Sequence, residues 1–300
     1  FDADGNRLSK VTTMDDGSVI TRTFGTGPAA DIVLSDVTTG IAGAVNSTPT
    51  PYDTAGRVNN RTVTYYDGRS NHTEYDDSNR ADSRTDTTAS GFATTSYYND
   101  GNQRVSVFSD DSASNQYSWL SSTLTLDPLT GQVTQKFTVL DDGNTITENY
   151  SGGLLTSRVT QDGGANEAFT SATQHYAAGV VQWQATVYDS GKGLIQGSAS
   201  SNSIGQNSGV SDAIIGNGGA DVFVFSAGMG ADRILDFSDG ADLLDLTALG
   251  IGSFSDFAAV GASLSQSGGD VLINFGGGDV LTLKNFLLTN LSNADFNSLE

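Results

Sequence analysis

The feature that most restricts the fold of this chain is a 23-residue spacing of aromatic anchors, from Phe1 to Phe24 and from Tyr52 through Tyr75 to Tyr98. Asp16-Gly17 and Asp67-Gly68 each follow the first anchor of their unit by 15 positions. Looser copies run from Leu126-Asp127 through Gly131 to Asp142-Gly143, and from Tyr150 through Asp162-Gly163 to Tyr176. The runs between are strand-like, as in Arg61-Thr62-Val63-Thr64-Tyr65-Tyr66 and Gln135-Lys136-Phe137-Thr138-Val139-Leu140, because β-branched and aromatic residues suit a pleated surface. Asp-Gly between such runs marks a hairpin turn that needs positive φ. Each unit therefore reads as two strands of about six residues and two turns. A lone hairpin cannot bury its apolar face, so neighbouring units must support one another. The expectation for residues 1–190 is an antiparallel β-hairpin repeat, as an open sheet or a curled shell. Residues 25–51 break the pattern, opening at Gly25-Thr26-Gly27-Pro28 and closing at Pro49-Thr50-Pro51; they read as an insertion carrying one strand at Ile32-Val33-Leu34. A Gly-, Ser- and Asn-rich stretch at 191–206 reads as a junction.

A different period follows. Asn207-Ser208-Gly209-Val210-Ser211-Asp212-Ala213-Ile214-Ile215 and Gly216-Asn217-Gly218-Gly219-Ala220-Asp221-Val222-Phe223-Val224 are consecutive nine-residue units. Each has a Gly-rich turn, Asp at position six and an apolar residue at position eight. A poorer unit precedes them, with Asn202 and Ile204 in the Asp and apolar places. The turn aims carbonyls inward, Asp adds charged oxygens, and the next three residues make a short strand. Stacked turns of this kind form a parallel β-roll in which adjacent turns share a cation. Calcium suits an all-oxygen cage because it accepts six to eight ligands in loose geometry. Asp212 and Asp221 are the first candidates for ligands, followed by Asn202 and the carbonyls of Gly216 and Gly218. Asp236, Asp239 and Asp242 are expected to pair with turn amides instead.

Charge supports the metal reading and narrows the partners. The chain holds 35 acidic and 14 basic residues, a net of −21, and only Glu74, Glu148, Glu167 and Glu300 are Glu. A helical surface would favour Glu; Asp belongs in turns and cation sites. A phosphate backbone would be repelled, which excludes nucleic-acid binding. Residues 197–300 carry 12 acidic and 2 basic groups, so self-repulsion and glycine entropy oppose their folding until a cation binds. The absence of Cys removes disulfides and thiolate sites, leaving a metal as the available stiffener. No apolar run approaches membrane-spanning length.

Two resemblances follow from these motifs. Tyr52-Asp53-x-x-Gly56-Arg57 and its copies resemble the YD repeats of bacterial Rhs-type surface proteins. The nonapeptides resemble the C-terminal region of RTX and serralysin-type proteins. So do Gly230-Ala231-Asp232-Arg233-Ile234-Leu235-Asp236-Phe237, Gly240-Ala241-Asp242-Leu243-Leu244-Asp245-Leu246 and the hairpin of Asp270–Phe275 with Asp279–Leu283. That resemblance implies an RTX-type calcium-binding β-roll and type I secretion module over residues 207–300. It implies an uncleaved C-terminal export signal, the type I secretion machinery as a partner, and an extracellular or cell-surface location. Phe1 opens inside a repeat, so the chain is expected to be a fragment.

Catalytic signals are sparse. His72 and His175 lie far apart in sequence, and neither belongs to a His-Glu-x-x-His motif. A Gly-x-Ser-x-Gly elbow and a phosphate loop are absent. Trp119 and Trp183 suit sheet packing or sugar stacking. The resulting expectation is an all-β chain with at most short helices. Its function reads as a secreted calcium-binding structural or adhesive protein that folds on calcium after export, with glycans, a cell surface or copies of itself as partners. The alternative is a carbohydrate-active or glycan-binding fragment. An exposed β edge favours the first; a cleft lined by carboxylates and aromatics favours the second.

Overall fold

The computed structural model describes residues 1, 6–15, 17–25, 32–40, 45–53, 55–163, 168–207 and 209–297. Asp2–Gly5 of the first repeat, Asp16, Gly27-Pro28 and Ser208 of the first nonapeptide lie outside the described residues. The protein is almost all β, as the residue pattern requires. Its contacts divide it into two compact units, Phe1–Asp141 and Asp142–Glu300.

The first unit is an antiparallel meander of β1 (Ser9–Thr13), β2 (Val19–Phe24), β3 (Val33–Thr39), β4 (Val45–Pro51), β5 (Asn60–Tyr65), β6 (Ser70–Tyr75), β7 (Ala81–Thr87), β8 (Ala93–Tyr98), β9 (Arg104–Asp110), β10 (Trp119–Leu126) and β11 (Val133–Leu140). Each strand pairs with the next in sequence. The break at 25–51 thus holds two strands, β3 and β4, rather than one over 32–34. Pro49 and Pro51 do not stop β4, because its ladder with β5 ends at Ser47↔Thr64 and a missing N–H beyond that point costs no bond on that side.

The 23-residue period is a repeated turn. Asp53 Oδ1 accepts the N–H groups of Ala55 and Arg57 at 2.8 and 2.9 Å. Asp76 does the same for Ser78 and Arg80 at 2.7 and 2.8 Å, and Asn99 for Gly101 and Gln103, both at 3.0 Å. The left-handed position falls on Gly56, Asn79 and Asn102 in turn (φ 78°, 57° and 58°); Asn is among the few residues with a side chain that tolerate it. The turns are tied to each other. Arg57 holds Asp53 Oδ2 at 2.7 Å and donates to the Asp77 carbonyl at 3.0 Å, and Arg80 likewise holds Asp76 and reaches the Asp100 carbonyl. The backbone N–H of Arg57, joined by its guanidinium, holds the Asp53 carboxyl below its ordinary range, and Arg80 acts in the same way on Asp76.

The second unit begins as another antiparallel meander, β12 (Thr145–Ser151), β13 (Leu154–Gln161), β14 (Phe169–Ala177), β15 (Val180–Tyr188) and β16 (Lys192–Gly197). Pairing then turns parallel. The chain alternates between two sheets through β17 (Ser203–Ile204), β18 (Ser211–Ile215), β19 (Val222–Val224), β20 (Ala231–Ile234) and β21 (Leu243–Asp245). One sheet stacks β16, β18 and β20; the other stacks β17, β19 and β21. A short helix α1 (Phe254–Ala259) precedes β22 (Ser263–Ser267), β23 (Asp270–Gly276) and β24 (Asp279–Leu283). This last hairpin closes the stack, with β24 parallel to β20 and antiparallel to β23. Between the two sheets, Ile195, Ile204, Ile214, Phe223, Ile234 and Leu244 are each at most 1% exposed and belong to one continuous core. Residues 191–206 contain β16 and β17, so the first parallel partner of the roll is also the last strand of the meander.

Candidate metal centre

Strands β17 to β21 each have an acidic or amide residue at or just before their start, and these residues form two columns. In one, Asn202, Asp221 and Asp242 precede β17, β19 and β21 and are all buried. The Asn202 N–H donates to Asp221 Oδ1 at 2.8 Å, and the Asp221 N–H donates to Asp242 Oδ1 at 2.9 Å. Asp242 Oδ2 also accepts the Ser238 N–H at 2.8 Å, and Asn202 Oδ1 accepts the Ser198 N–H at 2.6 Å. In the other column, the Asp212 N–H donates to Asp232 Oδ1 at 2.8 Å. Asp212 itself accepts the Asn207 N–H at 2.8 Å and the Asn207 side-chain amide at 3.1 Å. Both carboxylates of this column are fully buried, and Asp232 Oδ2 has no hydrogen-bond partner.

Glycine is required where the backbone passes these carboxylates. A Cβ on Gly193 would sit 1.7 Å from Asp212 Oδ1, and one on Gly216 would sit 2.5 Å from Asp221 Oδ2. Neither contact is physically admissible. Glycine inside β16 and directly after β18 therefore makes room for the acid side chains.

The electrostatics are those of acids stripped of water and set beside one another. Burial pushes the Asp232 carboxyl up to about 7, and repulsion from Asp212 and Asp279 adds to it, against the stabilising N–H of Asp212. Burial likewise raises Asp221, with the charges of Asp242 and Asp236 adding to the effect. It raises Asp212 despite the two donors from Asn207. Relief has to come from protons or from a cation, since Arg233 and Lys284 are the only bases in residues 197–300. Lys284 is already committed to Asp270.

The residues singled out from sequence are thus divided. Asp221 and Asn202 share a column, whereas Asp212 belongs to the other one; consecutive nonapeptides face different sheets, and alternate ones stack. Gly216 donates its N–H to Asp236 Oδ1 at 2.8 Å, and its carbonyl lies against Gly197. Gly218 is exposed in the same turn. Asp236 also accepts the Asn217 N–H, Asp242 caps Ser238, and Asp239 is exposed. Sequence reasoning passed over Asp232 as a column member and over Asp279, which accepts the Gly228 and Gly230 N–H groups at 2.8 and 3.0 Å. The signal was there in Gly-Ala-Asp at 230–232 and 240–242, at unequal intervals that hide the nine-residue period.

The donor set fits a hard cation. It is all oxygen, it includes a buried carboxylate oxygen without a partner, and no basic side chain competes for it. Among the described residues, no point gathers three or more His, Asp or Glu side chains.

Comparison with protein-family models and with curated proteins found no match. Among solved structures, the chain is similar to the extracellular lipase LipA from Serratia marcescens, with 15% identity and a TM-score of 0.24, over 55% of this chain and 29% of the lipase. It is also similar to a porin-like protein from Bacteroides uniformis, with 13% identity and a TM-score of 0.18, over 60% of this chain and 88% of that one. No helix among the described residues is long and apolar enough to cross a membrane.

Proposed function

We propose that this chain is an extracellular, calcium-binding structural or adhesive protein whose roll folds as it takes up calcium after export by a type I system. The observation that carries this reading is the pair of buried acid columns, above all the partnerless Asp232 Oδ2 beside Asp212. Burying a carboxylate without a partner costs several kcal/mol, and outside a cell calcium is available at millimolar levels. Asp212 and Asp232 would hold the ion in one column. Asn202, Asp221 and Asp242 would do so in the other, with carbonyls near Gly216 and Gly218. Bound calcium would supply positive charge to the columns and tie successive turns through their oxygens. The protein's own part is to bring the acids together, exclude water and leave glycine where a side chain would collide. Metal binding then becomes folding energy.

The test is thermal unfolding of the full chain in EDTA and in millimolar calcium, followed by circular dichroism. Calcium is expected to raise the midpoint of the roll's transition by about 10–20 °C, since a ligand at about 100 times its Kd adds about 2.7 kcal/mol and each kcal/mol moves a domain of this size by about 4–8 °C. Asp232→Asn should remove much of that gain. Superimposable melting curves with and without calcium would end the proposal.

A further inference from the structure

The first unit contains a cleft that the calcium reading does not use. Its volume is about 390 Å³, and Tyr65, Arg69, Arg84, Asp86, Phe92 and Thr94 line it. That size lies within the range of roughly 300–1,000 Å³ typical of small-ligand sites. The Arg69 guanidinium lies 5.1 Å over the Tyr65 ring and pairs with Asp67 at 2.7 Å. Arg84 pairs with Asp86 at 3.1 Å, and Asn71 donates to the same carboxylate. The lining is rich in hydrogen-bonding groups, yet both of its cations are already neutralised.

One wall continues into an aromatic platform. Phe92 meets Tyr117 and Trp119 edge-on, with centroids 5.6 and 6.1 Å away. Tyr117 and Trp119 stack at 5.0 Å with their planes 5° apart. Tyr117 remains 50% exposed. Its loop is nonetheless fixed in place. The buried Asp111 carboxylate accepts the N–H groups of Gln116 and Tyr117 at 2.9 and 2.7 Å, and Gln116 reaches back to Ser90. Burying a carboxylate is a costly way to hold a half-exposed ring. It makes sense when the ring must be presented ready for a ligand.

We infer that this cleft binds a neutral oligosaccharide, with the Tyr117–Trp119 platform and Phe92 packing against sugar ring faces. Sugar hydroxyls both donate and accept, which matches a lining that offers guanidinium, carboxylate, amide and hydroxyl groups together. An acidic polysaccharide would meet no unpaired cation in the cleft and a chain of net charge −21 around it. An apolar peptide helix would leave the paired Arg and Asp groups desolvated. The site lies outside the roll, so failure of the calcium reading leaves it standing.

The full chain, in millimolar calcium, is titrated with cellohexaose, laminarihexaose, maltohexaose and chitohexaose, and with polygalacturonate as the acidic probe. Isothermal calorimetry and tryptophan fluorescence report binding. At least one neutral hexasaccharide is expected to bind. Tyr117→Ala should weaken it about tenfold with an unchanged melting midpoint, and Phe92→Leu should weaken it as well. Tyr66→Ala, which alters an exposed ring that does not line the cleft, should bind like the parent. Binding of polygalacturonate alone, no binding of any neutral probe up to about 10 mM, or parental affinity in Tyr117→Ala would each overturn the inference.

Discussion

Strand β8 of the meander and strand β18 of the roll are similar in length but differ in how they are held. No side chain of Ala93–Tyr98 is fully buried, whereas Asp212 and Ile214 of Ser211–Ile215 both are. The contrast extends to the whole units. Leu126 is the one buried apolar side chain among the described residues of the first unit, while the second packs Ile195, Phe223, Phe225, Ile234 and many others into a single core. The meander draws on cross-strand partners such as the Thr85–Thr95 hydroxyl pair at 2.8 Å and the Arg22–Asp36 fork at 2.7 Å. Each such pair contributes about 0.2–1 kcal/mol. The roll draws on burial, at about 1.5–3 kcal/mol per large apolar side chain. It then places buried acids beside that core. The meander is thus many weak contributions spread evenly, and the roll is a few strong ones opposed by its own charge.

The largest expected difference concerns chelation. In EDTA, amide exchange within residues 211–245 should accelerate by orders of magnitude while residues 60–126 keep their protection; an equal loss in both would erase the distinction. Next in size is pH. Asp232 is raised from 3.8 to about 7 in the folded chain, so the folded state binds the extra proton between those values. In EDTA the stability from this group is full below about pH 4 and is lost as pH rises through 7. At about 1.4 kcal/mol per pK unit, the loss amounts to about 4 kcal/mol. Asp212 and Asp221 shift in the same direction and add to it. Denaturant melts of the metal-free protein at pH 5 and 8 should therefore favour pH 5, and calcium should flatten that slope. A smaller step separates the cores. Ile214→Ala should cost about 2–5 kcal/mol in urea unfolding, whereas Thr95→Ala should cost under about 1 kcal/mol. Comparable losses would show that the meander has a hidden dependence on packing. The smallest effect is local. Arg80→Gln should speed amide exchange at the turns of residues 76–80 and 99–103 without shifting the global melt.

Much of this contrast was legible in the residues. Thr-, Val- and Tyr-rich runs separated by Asp-Gly gave the antiparallel hairpins, and the Gly-rich nonapeptides gave a parallel stack. What escaped notice had physical causes. The turns at Asp76 and Asn99 carry no glycine at the left-handed position to mark them in sequence, because Asn79 and Asn102 serve there equally well. Strands β3 and β4 hid behind prolines that a strand tolerates where its ladder has ended on one side. Turns that are neighbours in sequence are not neighbours in space, so each acid column joins alternate turns. Asp212 stacks on Asp232, twenty residues on, and not on Asp221. The loop presenting Tyr117 left no trace in any periodicity, since a single buried side chain, Asp111, organises it.

Alternation between two sheets also sets a parity rule on how such a roll can change length. Strand β16 hands the meander to one sheet, and the closing strand β24 must return to that same sheet. Removing one turn would send every later aspartate to the opposite column and deliver the closing hairpin to the wrong side. Lineages that shorten or extend this region should therefore gain or lose turns in twos, whatever the length of each connecting loop.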